Sequence, residues 1–132
     1  MSNIRLRLIS EEDKCSCKGY NLDKLIQPQI LIVLAKQDLH GYSIIQELEN
    51  NGFVLGEKVD KTGVYRALKT LEDKGMVHFE WVLDEPGPAK KKYMITEKGV
   101  ECLNNWVQTL ENYKELLEKI IMSAKNVLGE GV

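Results

Sequence analysis

The sequence predicts a mostly α-helical chain with one small β-hairpin and a long final helix. Three observations predict it. Apolar residues recur at three- and four-residue steps between residues 30 and 71. The pattern then changes to two extended runs on either side of a Gly/Pro turn. From Thr96 to about Leu128 nothing interrupts helical continuity. At 132 residues the chain is long enough to bury a core without disulfide or metal staples.

Each element has its own warrant. Residues 1–27 are an N-terminal arm, of which the first 21 lack clear periodicity. A first helix is expected from about Pro28, because proline suits a position where its missing N–H has no helical acceptor. Ile30, Leu31, Leu34 and Ala35 form its apolar stripe, and Leu39-His40-Gly41 breaks it. A second helix is expected over about Tyr42 to Asn50, with Ile44, Ile45 and Leu48 inward and Asn50-Asn51-Gly52 as its stop. A third runs from about Lys61 to Lys74: Asp60 or Thr62 can cap it, Val64, Leu68 and Leu71 face inward, and Gly75 closes it. Val77 to Leu83 and Lys91 to Ile95 read as strands joined by the turn residues Asp84-Glu85-Pro86-Gly87-Pro88. A lone hairpin is barely stable, so this one is expected to lie on the helices.

Thr96 is a good cap for the last helix, with Glu97 in its first turn. Roughly 32 residues make it about 48 Å long, more than a small domain can cover. Leu103, Val107, Leu110, Leu117, Ile121, Ala124 and Leu128 follow a near-heptad seam. Cys102, Trp106, Thr109 and Tyr113 form a second stripe beside it. Two stripes imply two contacts, one with the helix's own domain and one with a partner chain. A homodimer is therefore expected, with Leu103, Val107, Leu110, Leu117 and Ile121 at its interface. Residues 28–95 are the core module and residues 96–132 the dimerisation helix.

Three helices followed by a two-stranded hairpin is the order of a winged helix-turn-helix, in which the third helix enters the DNA major groove and the hairpin is the wing. The formal net charge is −2, but the cations are concentrated. Between Lys61 and Leu71 there is no acid, and Lys61, Thr62, Tyr65, Arg66, Lys69 and Thr70 lie away from the apolar stripe. Lys90, Lys91 and Lys92 make a second basic run on the wing. Such cations neutralise phosphates and release counterions, and Arg66 can pair with a guanine edge. Tyr65 can donate to phosphate or pack on sugar. The expected partner is a double-stranded DNA operator. The competing class is a winged-helix protein-interaction module without sequence-specific DNA binding. No enzyme is expected: there is no nucleophile paired with a base, no phosphate loop and no HExxH-type motif.

Residues 30 to 100 resemble the PadR-like transcriptional regulators on three motifs in order. Asp38-Leu39-His40-Gly41-Tyr42 matches the start of that family's second helix. Residues 64–77, Val-Tyr-Arg-Ala-Leu-Lys-Thr-Leu-Glu-Asp-Lys-Gly-Met-Val, match its recognition helix and the beginning of the wing. Lys91-Lys92-Tyr93-Met94-Ile95-Thr96-Glu97-Lys98-Gly99 matches the return strand and the start of the last helix. The resemblance implies a homodimeric repressor that acts on a nearby operator and is released by a small molecule. It also makes Trp106 a candidate for an effector pocket, since resembling proteins hold flat drugs on aromatic residues there; a plain core role is the alternative. Two positions depart from the family: Arg66 stands where proline is common, and Gly63 where serine or threonine is.

Other residues carry weaker signals. His40 reads as a cap or packing residue at a turn before it reads as a metal ligand or base, and His78 as an exposed wing residue. Cys15, Cys17 and Cys102 are the candidates for a soft-metal or redox site, although a CxC lacks the common zinc spacing and no fourth ligand is evident. No cofactor is expected. No apolar run approaches the roughly 20 residues of a membrane span, and the N-terminus lacks a signal-peptide pattern, so a cytoplasmic protein is expected.

Overall fold

The computed structural model describes residues 25–51, 59–83 and 86–129. Within them the elements run α1 (Ile26–Lys36), β1 (Leu39–His40), α2 (Gly41–Asn50), α3 (Lys61–Asp73), β2 (Val77–Val82), β3 (Lys90–Ile95) and α4 (Glu97–Leu128). The fold is mostly helical with a small antiparallel sheet, as the sequence predicts.

Helix α1 is the hub and packs against α2, α3, α4 and β3. Pro28, Ile30, Leu31, Val33 and Leu34 are all buried, a wider apolar surface than one stripe, as a helix covered on several sides requires. It starts at Ile26, two residues earlier than expected. Pro28 is thereby its third residue, still in the first turn where N–H groups have no helical acceptor. Ala35, expected in the stripe, is exposed, and Val33 takes the inward place. Helix α2 contributes Ile44, Ile45 and Leu48, and α3 contributes Val64, Ala67, Leu68 and Leu71. With Val59, Val77 and Tyr93 these form one contiguous core.

Helix α3 ends in a Schellman motif. The Met76 N–H donates to the Leu71 carbonyl at 2.9 Å and the Gly75 N–H to the Glu72 carbonyl at 2.9 Å. Gly75 has φ +77°, a left-handed conformation that glycine adopts without a Cβ penalty. Two residues later the chain is extended in β2.

The sheet has the order β1-β3-β2. Its first strand pairs Leu39 with Tyr93 and His40 with Lys92. The sequence reads these two residues only as a helix break. A two-residue strand has no periodicity of its own and exists because β3, some fifty residues later, offers it a backbone edge. In the hairpin, Val77, Phe79 and Trp81 stand opposite Ile95, Tyr93 and Lys91, while His78, Glu80 and Val82 stand opposite Met94, Lys92 and Lys90. Since side chains alternate across a strand, the first set shares one face and the second set the other.

Helix α4 is fastened at its start. The Thr96 hydroxyl donates toward the carbonyls of Gly75 (2.7 Å) and Met76 (3.0 Å) and accepts the Gly99 N–H (3.0 Å). The Thr96 N–H donates to the Met76 carbonyl at 3.1 Å. Gly99 is buried at this crossing, where a Cβ would run into the Met76 carbonyl. Cys102, Leu103 and Trp106 then pack on the core. Leu103, expected in the partner seam, is thus placed against its own domain, because the first turns of α4 lie over α1 and β3. From Glu111 to Gly129 every residue is exposed. Among the described residues no helix is long and apolar enough to cross a membrane.

Candidate nucleic-acid interface

Helix α3 turns Val64, Ala67, Leu68 and Leu71 into the core, so its other side must face out. Lys61, Thr62, Tyr65, Arg66 and Lys69 are all exposed there. Asp60 occupies the N-cap position with no side-chain capping bond. Its carboxylate occupies space that Gly63 leaves open: a Cβ at Gly63 would fall 2.9 Å from Oδ2 of Asp60.

Two of the expected contacts are already engaged. Thr70 is half-buried and donates its hydroxyl to the Arg66 carbonyl at 3.1 Å, which leaves the oxygen only as an acceptor. Lys69 pairs with Asp73 at 3.3 Å, with both side chains mostly in solvent. An exposed pair of this kind is worth about 0–1 kcal/mol, so Lys69 is available to a phosphate at little cost. Among the described residues Arg66 makes no ion pair.

Tyr65 has a structural partner that the sequence did not announce. Its ring lies over Gly41, the first residue of α2, where a Cβ would come within 2.7 Å of Cε1. The ring therefore sets the approach of α2 to α3, while the side chain remains 46% exposed. Gly41 is thus a positioning residue for α3. Its only sequence signal is the glycine in His40-Gly41-Tyr42. His40 supplies a second tie: its Nδ1 lies 3.3 Å from the Lys91 carbonyl, a distance for an N–H donor in that tautomer.

The three lysines of the wing do not act as one patch. Lys90 and Lys92 are exposed on one face, with Glu80 opposite Lys92. Lys91 points to the other face, where its ammonium stands 4.2 Å from the Phe79 ring centroid and 5.7 Å from that of Trp81. Phe79 meets Trp81 edge-on at 5.8 Å and Tyr93 at 5.9 Å. A partly solvated cation–π contact is worth about 0.5–1 kcal/mol, which a phosphate can compete with. Tyr93, only 6% exposed, joins this face to the core. Burial, the Glu72 carboxylate and Tyr65 together push its phenol above the ordinary value of 10.0.

The remaining candidates are apart from this surface. Trp106 and Cys102 are partly buried against the core, and Cys102 is a free thiol. Cys15 and Cys17 lie outside the described residues. Among the described residues no three potential ligands come together as a metal site.

The comparisons agree on one kinship. No curated protein sequence matches the chain. A candidate transcriptional regulator from Thermoplasma acidophilum is similar in structure, with 27% identity and a TM-score of 0.65 over 76% of this chain and 93% of that one. A PadR-like transcription factor from Bacteroides fragilis gives 24% identity and a TM-score of 0.62 over 74% and 91% of the two chains. PadR of Bacillus subtilis, solved in complex with operator DNA, gives 30% identity and a TM-score of 0.54 over 62% of this chain and 46% of that one. The profile of the transcriptional regulator PadR-like family matches residues 30–105, more than half of the 132, and the chain belongs to that family.

Proposed function

We propose that the protein is a sequence-specific DNA-binding regulator, a homodimeric cytoplasmic repressor whose release answers a small-molecule or a redox or metal signal. The observation that carries the DNA reading is the outward face of α3. It presents Lys61, Thr62, Tyr65, Arg66 and Lys69 together, with no acid between Lys61 and Leu71. The family's solved complex with operator DNA supports the same partner. In this reading α3 enters the major groove, Arg66 reads a base edge, and the lysines of α3 and β3 hold phosphates.

The dimer is supported by the far half of α4. Leu116, Leu117, Ile120, Ile121 and Met122 are all exposed in the single chain, clustered apolar side chains of the kind that mark contact sites between proteins. Val107, Leu110, Leu117 and Ile121 are the proposed seam, with Leu103 shared with the core. Trp106, where α4 leaves the domain, is the proposed wall of an effector pocket completed by the partner helix. A redox or metal signal would act through Cys102 with Cys15 and Cys17. Native mass spectrometry showing no bound metal, together with thiols insensitive to oxidant, would remove that arm.

The test of the main reading is fluorescence anisotropy with the duplex upstream of the protein's own gene against a scrambled duplex, at two salt concentrations. The expected result is tighter binding to the upstream duplex that weakens with salt. Equal and weak binding to both, together with failure to enrich any site from a random pool, would leave a protein-interaction module in its place.

A further inference from the structure

The wing carries an aromatic residue that neither the core nor the basic run accounts for. Trp81 is 55% exposed and stands opposite Lys91 on the face of the hairpin that also bears Phe79 and Tyr93. That face is turned toward the helices, because Tyr93 belongs to the core and feels Tyr65 and Glu72 of α3. Moving from Tyr93 toward the turn, the same face leaves the core. There it presents the Lys91 ammonium and the Trp81 indole, on the side of the sheet that packs on the helices. One edge of the indole is held by Phe79 at 5.8 Å, while 55% of the residue stays exposed and open to a partner.

We infer that Trp81 is a DNA-contacting residue, which lays its indole on the sugar and base edges beside the groove read by α3 while Lys91 leaves the aromatic face to meet the adjacent phosphate. The inference rests on the proposed DNA-binding function. Charge selects the occupant. On the face that bears Trp81 the paired strands carry one charged side chain, Lys91, because Lys90, Lys92 and Glu80 lie on the other face, so this face presents positive charge to whatever covers Trp81. The segment joining the strands carries Asp84 and Glu85, so the attractive charge lies on the strand and not in the turn. A cation stored over an aromatic ring next to a flat indole suits a polyanion whose sugars and bases offer faces for stacking.

The experiment uses the full-length protein and a duplex selected by it from a random pool. Acrylamide, a neutral quencher that leaves phosphate contacts unscreened, is titrated into wild type and Trp81→Phe, each with and without duplex. Both tryptophans emit in the wild type, and the difference between the two proteins isolates Trp81. The expected result is an accessible Trp81 in the free protein that becomes shielded on DNA. Trp81→Ala should bind the duplex about tenfold more weakly, and Trp81→Phe should retain most of that affinity. Lys91→Met, which keeps the aliphatic stem, should lower the slope of log K against log salt by about 0.9. A Trp81 equally accessible with and without bound duplex overturns the inference while leaving DNA binding intact. A Trp81 already shielded in the free protein overturns it in favour of a second copy of the chain on this face. If no duplex can be selected, the parent reading falls, and this inference with it.

Discussion

Gly99→Ala is the sharpest test of how α4 is joined to the rest of the protein. A helical glycine replaced by alanine normally gains about 1 kcal/mol of helix propensity. Here the added methyl meets the Met76 carbonyl and lies 2.7 Å from Cγ1 of Ile95. A backbone carbonyl cannot swing aside like the end of a long side chain. The start of α4 must therefore shift, and overpacking of this kind costs about 1–3 kcal/mol. The shift also strains the Thr96–Gly99 cap, whose loss costs about 1 kcal/mol. After the propensity gain the net expectation is a loss of about 2 kcal/mol, or about 5–10 °C in Tm for a chain of this size. Thermal and urea unfolding at one fixed protein concentration would measure it, since association makes Tm concentration-dependent. Gly41→Ala is the control. Its methyl meets the Tyr65 ring, a side chain with solvent on one side, so stability should fall by less than about 1 kcal/mol while DNA affinity falls as the ring is displaced. A Gly99→Ala protein as stable as wild type would refute the account of the crossing.

Arg66→Ala should weaken binding to the selected site by roughly 1–3 kcal/mol and flatten discrimination at one base pair; equal loss on random DNA would make Arg66 a phosphate contact. Leu117→Glu should convert a dimer to monomer in analytical ultracentrifugation, because a carboxylate is costly to bury in an apolar seam, and a mutant still dimeric would place the seam elsewhere. Tyr93 supplies a pH test. Its phenol titrates higher in the folded protein than in the unfolded chain, so the folded state keeps the proton that the unfolded state releases. Its contribution is fully present below about pH 10 and is lost as pH rises through the folded value. Chemical denaturation between neutral pH and pH 11 should show a decline above pH 10 that is shallower in Tyr93→Phe.

What the sequence revealed depended on how local each signal was. The helices of the core, the hairpin and the long helix were legible because their apolar periods, capping residues and turn residues lie within each element. Thr96 was recognised as a cap from its position alone, and the structure adds the Gly75 and Met76 carbonyls that its hydroxyl also holds. Strand β1 was not legible, because two residues carry no period and its partner is far away in sequence. Consecutive lysines at residues 90–92 read as one patch until the register showed that alternate residues face opposite ways. Leu103 fits a heptad as well as Leu117 does, and only the three-dimensional position of the first turns of α4 shows which of the two its own domain covers. The outward residues of α3 follow directly from the inward ones. The closure of Tyr65 over Gly41 does not, because it joins two helices whose sequences are independent.

The crossing of Thr96 and Gly99 under Met76 also fixes a phase. It leaves no slack between the end of α3 and the start of α4, so the azimuth of every residue along α4 is set relative to the outward face of α3. One residue inserted between Trp106 and Leu117 would turn everything beyond it by about 100° and advance it by about 1.5 Å. Whatever surface the far half of α4 meets would then be presented from a different side, with α3 itself unchanged. Substitutions along the exposed stretch of α4, from Glu111 onward, can therefore accumulate without disturbing how α3 is joined to it. Changes in its length cannot, unless they come in steps near whole turns.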